Sequence, residues 1–221
     1  MTLPFTTEEF LQVFQNYNLA VWPVQVLLFL LGIAAVFLAV KSTAHSGRLI
    51  SAVLSLLWLW MGVVYHLLNF AAINKAAYVF GFLFIIQSFV FVYFGVVNER
   101  LWLQYSPDVY GMTGAVLMMY AMILYPILGH FLGHVYPKSP TFGLPCPTTI
   151  FTFGMLLWSR NRLSPLVLAI PLLWSVIGFI AALSLGMIED TGLLVAGLVG
   201  TVLIFTTNKT VQEPEVRRRD F

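Results

Sequence analysis

Long apolar runs fill most of the chain, separated by short polar or charged stretches. Seven runs stand out, at 20–40, 49–69, 76–97, 112–136, 148–159, 163–186 and 191–207. A helix of about 17 to 25 apolar residues crosses a bilayer's hydrocarbon, and every run but one has that length. The exception, 148–159, covers only about 18 Å at 1.5 Å per residue. Pro145 and Pro147 suit the first turn of a helix, where a missing N–H costs nothing, so this helix should start near Cys146 after a loop that dips into the protein. The pattern predicts an all-α integral membrane protein of about seven transmembrane helices.

Ahead of the first run, FTTEEFLQVFQNY reads as a short helix with Thr6 as N-cap and Glu9 three residues on, flanked by Phe5 and Phe10 at staple positions. Its Phe10, Phe14 and Tyr17 would lie in the outer membrane interface. The chain thus divides into an amphipathic interfacial segment at 1–18, a seven-helix domain at 19–208 and a polar tail at 209–221. The tail, with EPEVRRRDF at its end, has the composition of a disordered segment.

Charge sets the orientation. With the N-terminus outside and the C-terminus cytoplasmic, the inner loops and tail hold Lys41, Arg48, Arg100, Arg160, Arg162, Lys209, Arg217, Arg218 and Arg219. Only Lys75 and Lys138 fall outside, the asymmetry that the positive-inside rule requires. Dropping the weak fifth run would strand Arg160 and Arg162 on the outer side. Composition agrees with a bilayer protein: 60% of the 221 residues are hydrophobic and 9% charged. A single cysteine excludes an internal disulfide, and nothing points to nucleic acid.

The candidate chemistry gathers toward the outer side. His130 and His134 are four residues apart, a spacing that shares a helix face, and His66 and Cys146 fall at similar depth. Such donors suit zinc or copper, while His66 with one of the pair would clamp a b-type haem. Met112 and Met119 lie near the His130 face and would form a soft-metal path below it. For each residue the plainer reading is structural: interfacial histidines, a small buried cysteine, packing methionines. Gln87 and Ser88 are the deepest strongly polar groups, as pore lining or as interhelical hydrogen bonds. Gly178, Ala182 and Gly186, and likewise Gly129 and Gly133, are spaced for close helix packing, as a scaffold or homo-oligomer would need.

Several classes are disfavoured. No Asp, Glu, Lys or Arg sits near the middle of a run, where ion-coupled carriers place one. Lys209 is too shallow for a retinal-type Schiff base. Catalytic signatures such as H-E-x-x-H or Gly-x-Ser-x-Gly are missing. Glu189 and Asp190 cap the outer end of the sixth run and could face the histidines, but read rather as a solvated turn; no other carboxylate is placed to orient the histidines. LPCPTTIFTFGMLL at 144–157, with Pro145-Cys146-Pro147-Thr148-Thr149 followed by Phe151, Phe153 and Gly154, resembles a family of bacterial multi-pass membrane proteins labelled only as a domain of unknown function. That resemblance implies a bacterial inner-membrane location and brings no substrate or catalytic residue. The expectation is an inner-membrane protein that binds or transports a transition metal or small solute through an outer-side His/Cys site.

Overall fold

The computed structural model describes residues 4–210. Helix α1, Thr7–Val21, starts on the expected capping box: the Glu9 N–H donates to Thr6 Oγ1 at 3.2 Å, and the Thr6 N–H donates to Glu9 Oε2 at 2.7 Å. Phe5 and Phe10 stack at 5.8 Å, closing the staple. The aromatic face does not lie in the lipid interface as expected. It turns toward the bundle, where Phe14 stacks on Tyr65 and the buried Tyr17 hydroxyl accepts from Trp60 Nε1 at 2.7 Å. Rings that would have gained only partial burial in lipid headgroups are instead desolvated against other rings, which is worth more per residue. Burial pushes the Tyr17 hydroxyl up to about 12, against the opposing pull of the Trp60 hydrogen bond.

Six helical stretches are long and apolar enough to cross a membrane: Val24–Lys41, Ser46–Ala72, Ala77–Val97, Val109–Phe131, Pro165–Leu185 and Ile188–Thr206. They contain α2 (Val24–Lys41), α3 (Ser46–Trp60), α4 (Ala77–Phe91), α5 (Val109–Met119), α6 (Tyr125–Phe131), α8 (Pro165–Leu185) and α9 (Thr191–Thr210). Large apolar side chains such as Leu27, Phe37, Phe82, Phe89, Leu183 and Val202 face outward along them, as lipid contact requires. This is a multi-pass all-α membrane protein.

The weak fifth run is α7, Pro145–Leu157, thirteen residues that begin at the proline the sequence marked. Twelve of the thirteen are buried, so the helix is sheathed by protein and does not need the length of a lipid-facing span. Its first turn lies beside Asp190, and its far end is tied to the 98–108 loop, where the Gln104 N–H donates to Trp158 O at 2.8 Å, and to α5, where Trp158 Nε1 donates to Gly111 O at 2.8 Å. The short helix therefore joins the two ends of the bundle. Gly114 and Gly154 let α5 and α7 meet: a Cβ on Gly154 would stand 2.8 Å from Gly114 O.

Of the glycines whose spacing pointed to packing, two do not pack helices. Gly133 and Gly186 have φ of +93° and +75° and no neighbour within 4 Å of a Cβ position, so they are turn residues that end helices. Gly178 does pack, against Leu193.

Candidate functional site

The site is assembled by a loop that folds back under α1. Asn18, fully buried near the end of α1, donates through Nδ2 to Pro137 O at 2.7 Å and Ser139 O at 2.8 Å. Its Oδ1 accepts from Gln25 Nε2 at 2.6 Å and Thr141 Oγ1 at 3.1 Å. Every polar valence of the amide is used, which fixes the 137–144 loop against α1 and α2. Lys138 adds an exposed ion pair to Glu8 at 2.6 Å. From there Phe142 and Leu144 turn inward, and α7 starts inside the protein with Cys146 in its first turn.

Opposite that turn, the chain between α8 and α9 makes one 3-10 turn, Ile188–Asp190, and puts two carboxylates inside. Glu189 is 0% exposed and Asp190 5%. The expectation of a solvated turn is overturned. Gly186 ends α8 and α9 starts at Thr191, so the connection is too short to carry its polar side chains out to water. Buried carboxylates require partners. Glu189 Oε1 pairs with His134 Nδ1 at 2.7 Å, while its Oε2 is buried without a hydrogen bond. Asp190 Oδ1 accepts a hydrogen bond from the Tyr125 hydroxyl, and its carboxyl also meets the Cys146 thiol. Among the described residues, no Lys, Arg or His lies within ion-pair distance of Asp190.

Asp190, Tyr125 and Cys146 form the polar end of a cavity of about 390 Å³. Phe5, just ahead of α1, and Phe10 and Phe14 of α1 cover it, and Tyr65, Phe80 and Trp174 wall it. Trp174 Nε1 lies against the Cys146 thiol and makes no conventional hydrogen bond. That volume lies in the range of small-molecule sites, about 300 to 1,000 Å³, and an apolar lining with few convergent polar groups is their usual make-up.

The sequence-predicted residues do not converge. α6 ends at Phe131, and the His134 N–H reaches back to Gly129 O at 2.8 Å around Gly133, so His134 leaves the helix face that His130 occupies. His130 is exposed beside Phe131, whereas His134 turns in to Glu189 and thus has an orienting carboxylate from the segment expected to be a solvated turn. His66 is 0% exposed, with both ring nitrogens lacking hydrogen bonds, amid Tyr65, Phe70, Phe80, Phe84 and Trp174. Of the four, Cys146 alone lines the cavity. Among the described residues, no group of three or more His, Cys, Asp or Glu side chains is placed to hold a metal ion.

Met112 and Met119 are 55% and 47% exposed on outward faces. A π-helical segment, Tyr120–Leu124, re-phases the helix between Met119 and His130. Pro126 explains it, because a proline ring displaces the preceding turn's carbonyl and widens the backbone. Gln87 and Ser88 join helices: Gln87 Nε2 donates to Val167 O at 3.0 Å, and Ser88 shares a hydrogen bond with Ser55 at 2.9 Å.

Sequence reading missed Asp190, Tyr125 and Asn18. The signal for Asp190 was the four-residue gap between the runs at 163–186 and 191–207, half of it apolar Met187 and Ile188. No curated protein and no solved structure matches the chain. Residues 7–214 match the profile of DUF6064, a family of unknown function, and the chain belongs to that family.

Proposed function

We propose that this protein binds a small amphiphilic molecule in the cavity beneath α1, with an amine or similar N–H donor held at Asp190. The observation that carries the proposal is a buried carboxyl without a cationic partner at the polar end of an otherwise apolar cavity. An ionisable group inside a membrane protein is costly and marks a functional site by default. A donor head would satisfy the carboxyl, and an alkyl body of moderate size would gain by leaving water for the phenylalanine lining. The charge pattern supports this end as the outer one, and the family resemblance supports a bacterial inner membrane as the setting. The transition-metal and haem readings lose ground, because His130, His134 and His66 point into three different surroundings.

The test is thermal unfolding of the purified protein in nanodiscs with dodecylamine, lauric acid or butylamine. Dodecylamine should raise the melting temperature in a saturable way, and lauric acid and butylamine should not. Asp190→Asn should keep the unliganded melting behaviour and lose the response. Equal shifts with the amine and the acid, or an unchanged response in Asp190→Asn, would overturn the proposal.

A further inference from the structure

A second void of about 320 Å³ lies on the other side of Tyr125. It is a groove between α2 and the α5–α6 helix, lined by Trp22, Val26, Phe29, Met122 and Phe142 among others. Trp22 and Val26 are 61% and 45% exposed on the outward face of the bundle, so the groove opens toward lipid. Tyr125 and Pro140 line both voids and form the wall that separates them.

We infer that the groove is a lipid-facing entrance that leads to the acidic cavity past Tyr125, and that the ligand is a single-chain amphiphile drawn from the bilayer. The inference rests on the binding reading above and adds the ligand's source and route. Tyr125 is suited to be the movable part of the wall. Its hydroxyl is tied to the Asp190 carboxyl, the same group that would receive the ligand's head. A donor head that takes over Asp190 releases Tyr125, so the occupied cavity and the closed wall are alternatives at one carboxyl. Its backbone also sits at the end of the π turn, where the Tyr125 N–H bonds to Tyr120 O instead of continuing the regular ladder. Such wide turns recur at functional positions. An aqueous solute has no use for a groove opening between lipid-facing side chains, whereas an alkyl chain already dissolved in the bilayer reaches it by lateral diffusion.

The experiment follows the association of a fluorescent long-chain alkylamine delivered from vesicles to the protein in nanodiscs. Val26→Trp fills the groove at an outward-facing position without touching Asp190, and Trp22→Ala widens it. Val26→Trp should slow association about tenfold, equivalent to about 1.4 kcal/mol of barrier, while equilibrium occupancy stays near that of wild type. Trp22→Ala should speed association or leave it equal, and both variants should melt like wild type. Association of the melting-competent Val26→Trp at the wild-type rate would overturn the lateral route. Should Val26→Trp melt early, Trp22→Ala decides alone: slower association there overturns the route as well. No binding of the amine to wild type would instead overturn the ligand reading itself.

Discussion

Replacing Asn18 by alanine tests whether the re-entrant loop is held by a single amide. The side chain makes four hydrogen bonds, at 2.6, 2.7, 2.8 and 3.1 Å, three of them to the 137–144 loop and one to Gln25 of α2. Alanine removes all four and leaves Pro137 O, Ser139 O, the Gln25 amide and the Thr141 hydroxyl to find other partners. Gln25 keeps a weaker contact to the Asn18 backbone oxygen at 3.3 Å, and the loop carbonyls are half-buried, so water can repair part of the loss. At about 1 kcal/mol for each bond that is not repaired, the cost comes to about 2 to 4 kcal/mol. Equilibrium unfolding in mixed micelles measures it, with Gln12→Ala as control. Gln12 sits on the same helix in an exposed hydrogen bond to Asn16, and its loss should cost under about 0.5 kcal/mol. Hydrogen exchange should rise across 137–144 and the first turn of α7 in Asn18→Ala while the rest of the bundle keeps its protection. A loss no larger than the control's would refute the idea that Asn18 positions the loop.

His134→Ala strips Glu189 of its partner inside the protein and should destabilise by about 3 kcal/mol, whereas His130→Ala should cost under about 0.5 kcal/mol in the same unfolding assay. Gly154→Val forces a branched side chain against the α5 backbone at Gly114, and overpacking of about 1 to 3 kcal/mol should appear as a lower melting temperature together with faster exchange at Trp158 Nε1.

The apolar runs, the capping box at Thr6 and Glu9, and the proline start of α7 are written in local sequence, because each depends on residues within a few positions of one another. What escaped depends on burial by distant segments. Glu189 and Asp190 carry the same side chains whether a turn is wet or dry, and the shortness of the connection decides which. The histidine pair misled for a related reason: the i, i+4 rule assumes the helix continues, and Gly133 ends it between the two rings. The phase between the methionines and His130 is altered by one π turn, a change of backbone that Pro126 hinted at without giving its size. Asn18 looked like one more polar residue at a helix end, since all but one of its partners lie more than a hundred positions away.

The central claim, that the cavity at Asp190 is a ligand site, is tested most directly by photolabelling. A long-chain amine carrying a diazirine near its head, equilibrated with the protein in nanodiscs and irradiated, marks the residues it contacts. The account predicts saturable label on peptides containing Phe5–Phe14, Phe70–Phe80 and Trp174–Leu185, competed by dodecylamine and lost in Asp190→Asn. Label confined to outward-facing positions such as Phe82, Phe89 and Val202, unchanged by competitor or by the substitution, would contradict it.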